Sequence, residues 1–361
     1  MAISPSWTGR RYSHSALTNR QEDCKDVDCL LFGDALRSQQ HGQQAIDKVH
    51  GSISFYNTLF KKSTKLDWQQ VRGLALDFQP VIQQKWPAYL DEMQDGAKVE
   101  LADILALNVR TEINFGMFSD GCTALSWKTD SASFLAQNWD WMTEQQGNLV
   151  PVVIEQEGKP TIKMITEAGI IGKIGFNTSG VGICLNAIRA RGMDVNRLPC
   201  HLGLRMALES TSCADAVARL NRYGIASSCH MLLADAKESI GLEWSSIDVQ
   251  QVQMNAKQQI FHSNHYLLEH PGVIDTVWLP DSPFRVTRIE ELCRDLSDSP
   301  TLSELGRVFE DEGNAPASIC RLQTEQTGSA TVFNIVMDLM STQVVVRFGR
   351  PNASTEVYRF P

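Results

Sequence analysis

The chain lacks most of the features that announce a special class of protein. None of its nine cysteines pairs with another at C-x-x-C spacing. An odd, dispersed set in 361 residues points to a reducing compartment rather than a disulfide framework. Cys229-His230 and His262/His265 supply no spaced quartet of ligands, so no metal centre is expected. There is no run of 18 apolar residues, and Met1–Arg20 is polar with no apolar core of a secretory signal. A soluble, intracellular protein with no membrane partner is the expectation. Basic residues are short too: 33 Lys and Arg stand against 42 Asp and Glu, for a net charge of −9. No stretch interleaves basic with aromatic residues, so nucleic acid is not an expected partner. Internal repeats, low-complexity linkers and a G-x-S-x-G nucleophile elbow are also missing.

What is present is an ordinary globular composition, 43% hydrophobic and 21% charged, in a chain long enough for a substantial core. Residues 1 to about 28 read as a polar, poorly ordered leader, and 1–40 as a variable segment. Gln43–Phe60, Trp68–Met93 and Leu101–Asn108 carry apolar residues at helical spacing, with Pro80 and Pro87 dividing the middle stretch. The first third, 41–121, is therefore expected to be mainly helical. From Cys122 onward the pattern turns to short β-rich runs: Thr123–Trp127, Phe134–Trp141, Leu149–Glu155, Thr161–Ile165, Ile171–Phe176 and Val181–Ala187. Helices over His201–Ser210 and Ala214–Tyr223 lead to a second set of strands, Ser228–Ala234, Ile240–Trp244, Val249–Asn255 and Gln259–Ser263. Helices near Pro283–Leu296 and Leu302–Glu310 precede a final hairpin, Ala330–Met340 and Val344–Phe348. Two sheet sections with helices between and around them predict a layered α+β architecture.

The most informative residues are Asp120-Gly121-Cys122-Thr123, which place a thiol directly after a glycine at the start of a strand. Gly121 can adopt backbone angles closed to other residues, exposing its carbonyl to the Cys122 sulfur. Thiol attack there would turn the amide into a thioester, and water would release it. Cys122 would then carry a free α-amine, whose pKa of about 7.7–8.0 suits a general base near neutral pH. On Gly-Cys alone, a small buried hydrophobe is the commoner explanation. Asp140, in Gln137–Trp141, lies on the next strand at a spacing that can return its carboxylate to the start of the first. Asn186 and Asn264 offer neutral amide donors of the kind that stabilise an oxyanion. His262 and His265 read as structural, Ser245 as a packing residue, and the other eight cysteines as core residues.

Together these segments resemble the isopenicillin N acyltransferase family, also called acyl-CoA:6-aminopenicillanic acid acyltransferases, within the N-terminal nucleophile hydrolases. The resemblance runs from about His41 to Tyr358. Its anchors include Trp86-Pro87, Asn108–Glu112, Asp120–Thr123, Gln137–Trp141, Ile165–Lys173, Ala207–Ser212, Gly241–Ser245, Ser263–His265, Ser318–Arg321 and Phe348–Pro351. It implies an αββα sandwich of two antiparallel sheets between helical layers. It also implies self-cleavage at Gly121–Cys122 into a chain of residues 1–121 and a catalytic chain of residues 122–361, which stay associated. Cys122 becomes the nucleophile of cleavage and turnover, Asp140 the aspartate that positions it and helps bind the acceptor, and Asn264 the oxyanion asparagine, with Asn186 a second polar position.

The chain departs from the family at three places. The arginine implicated in binding the penam carboxylate is replaced by Gly328, with Arg321 a candidate substitute. Arg359-Phe360-Pro361 is not a peroxisomal signal, which makes the cytosol the expected location. The first 40 residues are longer than the family's short N-terminal strand. The expected function is that of an autoprocessing cysteine N-acyltransferase or amidohydrolase with no cofactor, acyl-CoA entering only as a substrate. Small acyl donors (an acyl-CoA, an N-acyl amino acid, a small peptide, a β-alanyl amide) and amine acceptors are the expected partners. A purely hydrolytic amidase of the β-alanyl-amide or penicillin V acylase kind, a papain-like protease with a Cys–His pair, and a non-catalytic scaffold are the alternatives.

Overall fold

The computed structural model describes residues 30–33, 45–94, 98–114, 121–274, 279–355 and 357–360. The polar leader, Cys24, Cys29 and Asp120 lie outside them. Strand β1 (Leu30–Gly33) is followed by six helices: α1 (Ile46–Ser63), α2 (Trp68–Leu76), α3 (Gln79–Lys85), α4 (Pro87–Gln94), α5 (Leu101–Asn108) and α6 (Arg110–Ile113). The expected stretch Trp68–Met93 is three helices. Pro80 sits in the first turn of α3 and Pro87 opens α4, where a missing N–H costs nothing. Asp67 and Gln70 form a reciprocal capping box that fixes the start of α2.

The strands after Gly121 build two sheets. One has eight strands in the order β1, β4 (Leu149–Glu155), β5 (Ile162–Glu167), β6 (Ile174–Asn177), β7 (Gly182–Ala187), β8 (Cys229–Ala234), β9 (Ser239–Trp244) and β10 (Val249–Val252). The other has five, in the order β11 (Gln259–His262), β2 (Cys122–Lys128), β3 (Ser133–Trp141), β12 (Ala330–Asp338) and β13 (Gln343–Phe348). Every pairing is antiparallel except that of β1, which joins the edge of the larger sheet parallel to β4.

Apolar side chains of both sheets and of α1–α6 share one core, while α9 (Ser282–Arg294) and α10 (Leu302–Val308) cover the outer face of the smaller sheet. The helices α7 (Cys200–Leu208) and α8 (Cys213–Tyr223) pack on β6, β7 and β8 of the larger one. The result is an αββα sandwich. Among the described residues no helix is long and apolar enough to cross a membrane.

The β2–β3 hairpin positions the candidate site. Thr129 accepts at Oγ1 from the N–H groups of Ser131 and Ala132, closing the turn. The register that follows sets Cys122 opposite Trp139 and Gly121 opposite Asp140, whose N–H donates to the Gly121 carbonyl at 2.9 Å. Side chains alternate along β2. Cys122 and Ala124 enter the core between the sheets, whereas Leu125 and Trp127 pack outward with Ile289, Cys293 and Leu305.

Candidate active site

Cys122 is fully buried, and its peptide is held at both ends. Its N–H donates to Asn264 Oδ1 at 2.8 Å. Its carbonyl accepts from Ser263 Oγ at 3.0 Å and from Arg285 Nη1 at 2.6 Å. Asn264 is fixed in turn. Its N–H donates to Ser282 Oγ at 2.7 Å, and its Nδ2 donates to the Ala187 carbonyl at 3.0 Å. The amide donor that sequence reasoning assigned to an oxyanion is thus engaged by β7, while the amide oxygen meets the Cys122 nitrogen.

Asp140 lies on the opposite face of the hairpin from the Cys122 side chain. Its Oδ1 accepts from Thr331 Oγ1 at 2.7 Å, and Oδ2 is buried without a partner. A Cβ on Gly121 would come within 2.7 Å of that oxygen and 3.2 Å of Arg321 Cδ, so space rather than backbone conformation favours the glycine. Asp281 lies close by, accepting at Oδ2 from Arg285 Nε and from Arg321 Nη1, both at 2.8 Å. Burial raises Asp140 to about 7, against the pull of Arg285 and Arg321. The same two guanidiniums outweigh burial at Asp281 and lower it, because they bond it directly. Two neighbouring carboxyls are thereby pushed apart, one toward the proton and one away.

Inside the sandwich a narrow cavity of about 60 Å³ is lined by Asn264 and Trp139, the bonding and register partners of Cys122, and by Leu185, Ala187, Arg110, Lys173 and Glu112 among others. Beside it Glu167 is buried in a cage of donors: Arg110 Nη2 at 2.6 Å, Gln145 Nε2 at 3.1 Å, Tyr56 and Lys173. Burial alone would raise this carboxyl, yet Arg110 and Lys173 hold it well below the usual carboxylate range. Lys173 Nζ also sits 3.6 Å above the Trp139 ring, which stacks on Trp141.

Asn186 is fully buried on β7, with its Nδ2 unpartnered. Its Oδ1 meets His230 Nδ1 at 3.0 Å, and the His230 ring stacks on His262 with centroids 3.4 Å apart. His262 is committed at both ring nitrogens, to Glu243 Oε1 and the Ser263 carbonyl, each at 2.8 Å. His265 Nδ1 meets Ser282 Oγ at 2.7 Å, and burial lowers this imidazole to about 4. Ser245 accepts at Oγ from the N–H groups of Ile247 and Asp248, a turn-capping role. The described cysteines other than Cys122 are all buried. Among the described residues no group of three or more His, Cys, Asp or Glu side chains is arranged to hold a metal ion.

Cys122, Gly121, Asp140, Asn264 and Arg321 therefore come together around one hairpin end, and Asn186 belongs to a neighbouring histidine stack. Sequence reasoning missed Arg285, which reaches the Cys122 carbonyl from α9, and Asp281, which precedes α9 and binds Arg285 and Arg321. The local clue was their four-residue spacing at a helix start. Gly328 adopts φ of +67°, in the left-handed region that L side chains avoid.

Residues 127–353 match the family described as acyl-coenzyme A:6-aminopenicillanic acid acyl-transferase. The 40 kDa form of acyl-coenzyme A:6-aminopenicillanic-acid-acyltransferase from Emericella nidulans is 39% identical over 326 residues, covering 88% of this chain and 91% of that one. Among solved structures, penicillin V acylase from Agrobacterium tumefaciens aligns with 14% identity and a TM-score of 0.48 over 66% of this chain and 85% of that one. A C2A mutant of conjugated bile acid hydrolase from Clostridium perfringens aligns with 12% identity and a TM-score of 0.46, over 66% and 96%. On the match across 127–353 and the shared identity with the Emericella protein, the chain belongs to the acyl-coenzyme A:6-aminopenicillanic acid acyltransferase family.

Proposed function

We propose that this family member is an autoprocessing cysteine enzyme that moves acyl groups from small amides or thioesters to an amine or to water. The observation that carries the reading is the clamped Gly121–Cys122 peptide. Its carbonyl rests on the Asp140 N–H at 2.9 Å, its nitrogen on Asn264 at 2.8 Å, and residues paired or bonded to Cys122 form the wall of the cavity. In self-cleavage the Cys122 sulfur adds to the Gly121 carbonyl and the C–N bond breaks. The nitrogen takes a proton to become the Cys122 α-amine. Water then hydrolyses the thioester, leaving a Gly121 carboxylate and a free thiol.

In turnover the amine takes the thiol proton, the thiolate attacks the donor carbonyl, and the leaving amine or thiol departs with that proton. The acyl group on Cys122 passes to an acceptor amine or to water, restoring the thiol. Asn264 is the oxyanion donor once its Nδ2 turns from Ala187 toward the developing charge. The α-amine is favoured over a histidine as base because both nitrogens of His262 are already bonded and His265 is turned to Ser282. The two cleaved chains are expected to stay associated, since α1–α6 share the inner core with the strands and the Arg110–Glu167 pair crosses the cut. With Gly328 in place of arginine and Arg321 bonded to Asp281, an acceptor without a penam carboxylate fits better than 6-aminopenicillanic acid.

Intact-mass analysis tests this reading. Wild-type protein should split before Cys122, Cys122→Ala should stay whole, and acyl-CoAs or N-acyl amides should leave a trapped acyl mass on the Cys122 chain. A single uncut wild-type chain that takes up no acyl group would falsify it.

A further inference from the structure

The segment that carries Asn264 is tied to one buried carboxylate. Glu243, on β9, is fully buried. Its Oε1 meets His262 Nε2 at 2.8 Å and the Leu267 N–H at 2.6 Å, and its Oε2 meets the Leu268 N–H at 3.1 Å and His270 Nε2 at 3.3 Å. Those partners fill a carboxylate's capacity of about four donors. All of them come from residues 262–270, so Asn264 sits inside the span that Glu243 gathers.

The partners of His262 fix its protons. A carbonyl oxygen only accepts, so Nδ1, 2.8 Å from the Ser263 carbonyl, carries a hydrogen. Burial would raise Glu243, but the bond from His262 and those from Leu267 and Leu268 outweigh it and hold the carboxyl below its ordinary value. An ionised carboxylate also only accepts, so Nε2 carries a hydrogen as well. The other groups around the ring leave this pairing alone. His230, stacked on His262 from β8, is held well below the ordinary imidazole value by burial and then by the His262 charge. His265 is lowered by burial, by His262 and by Arg285, and its Nδ1 faces Ser282. His270 turns Nδ1 to Asp248 at 2.8 Å, and Arg285 turns Nη2 to Asn264 Oδ1 at 2.9 Å.

We infer that Glu243 and an imidazolium at His262 form a buried ion pair that fixes where Asn264 stands, which makes Glu243 a positioning residue for the reaction at Cys122. The inference rests on the proposed acyl-transfer reading, in which Asn264 serves the oxyanion. The carboxylate holds the ring, the ring holds the Ser263 carbonyl, and the next residue is Asn264. A neutral ring has one hydrogen for two acceptors, so one of the two bonds would be lost and the Asn264 backbone would be released from that side.

Nitrogen-15 spectra of histidine-labelled Cys122→Ala protein at pH 7 test the ion pair directly. The His262 ring is expected to show both nitrogens protonated, and Glu243→Gln on the same background should return it to a single-hydrogen ring and shift the Asn264 side-chain amide resonances. In processed enzyme, Glu243→Gln is expected to lower kcat by about 10²-fold with KM little changed, the cost of misplacing a catalytic group by about an ångström. Should Glu243→Gln not accumulate as folded protein, His262→Gln, which keeps an amide donor for Glu243 without the charge, is read in the same way. A His262 ring with one hydrogen in the Cys122→Ala protein overturns the inference, and so does a variant whose kcat is unchanged or whose loss lies in KM alone. A doubly protonated His262 with Glu243-dependent Asn264 resonances, but no donor acylating Cys122 in wild type, upholds the ion pair and counts against the acyl-transfer reading.

Discussion

At the Cys122 end of the β2–β3 hairpin the two faces are equally buried and different in kind. Toward the other sheet it presents Cys122, Ala124 and Trp139, with Trp139 in the cavity wall, and one polar side chain, Gln137, paired with the Leu185 backbone of β7. Toward α9 it presents Thr123, Asn138 and Asp140, polar groups bonded to Arg285, to the backbone of Phe309 and Ile319, and to Thr331. The inner face has an open space and a thiol; the outer face has charge. On the proposed reading, the strand pair keeps the sulfur on one side of the sheet and the Asp140 carboxyl and Arg285 on the other.

If that separation is correct, inner-face changes should remove chemistry with little loss of fold, and outer-face changes should cost stability first. The largest effect is expected from Cys122→Ala, which should abolish both cleavage and acyl uptake while the thermal midpoint stays close to that of uncut protein. A circular-dichroism melt paired with intact mass measures both; a cleaved Cys122→Ala chain would break the comparison outright. Arg285→Met comes next. It strips a buried guanidinium from Asp281, Asn264, Thr123 and the Cys122 carbonyl, leaving Asp281 with Arg321 alone. Breaking a buried ion pair from one side costs about 3–5 kcal/mol, readable as a shifted denaturant midpoint. Unchanged stability would show that the outer network carries no load. Asn264→Ala, at the junction of the two faces, should lower kcat by about 10²–10³-fold in processed enzyme if its amide serves the oxyanion. A loss confined to KM would assign it to binding instead.

Much of the fold was legible because local chemistry dictated it. Leu101–Asn108 and Leu149–Glu155 fall where their patterns place them, and Pro80 and Pro87 cut the long helical stretch where ring geometry demands. The run Val249–Asn255 was read too long. It ends at Val252 because Asn255 Oδ1 accepts from the N–H groups of Lys257 and Gln259, drawing the chain into a turn. Side-chain direction was the harder part. In a strand buried on both faces, hydrophobicity no longer reports which side a residue occupies, so spacing brought Asp140 to Gly121 without revealing that its carboxyl lies away from the sulfur. Arg285 reaches Cys122 from the far end of the chain, and no periodicity encodes that meeting.

Asp140 sharpens the contrast most finely, because its predicted signature is a pH dependence rather than a loss. Burial raises this carboxyl from 3.8 to about 7. A raised carboxyl stabilises the fold fully at pH below its unfolded value, and the advantage disappears as pH climbs through the folded value. Wild-type protein should therefore lose stability relative to Asp140→Asn between about pH 4 and 7, by a few kcal/mol at most. Both measurements belong on a Cys122→Ala background, so that two uncut chains are compared and cleavage cannot intrude. Urea midpoints at pH 5 and pH 8 should show the two proteins diverging, with Asp140→Asn the more resistant at the higher pH. Parallel midpoints would mean that Arg285 and Arg321 keep the carboxylate charged throughout. The outer face would then be a fixed electrostatic frame, with no proton to exchange between pH 5 and 8.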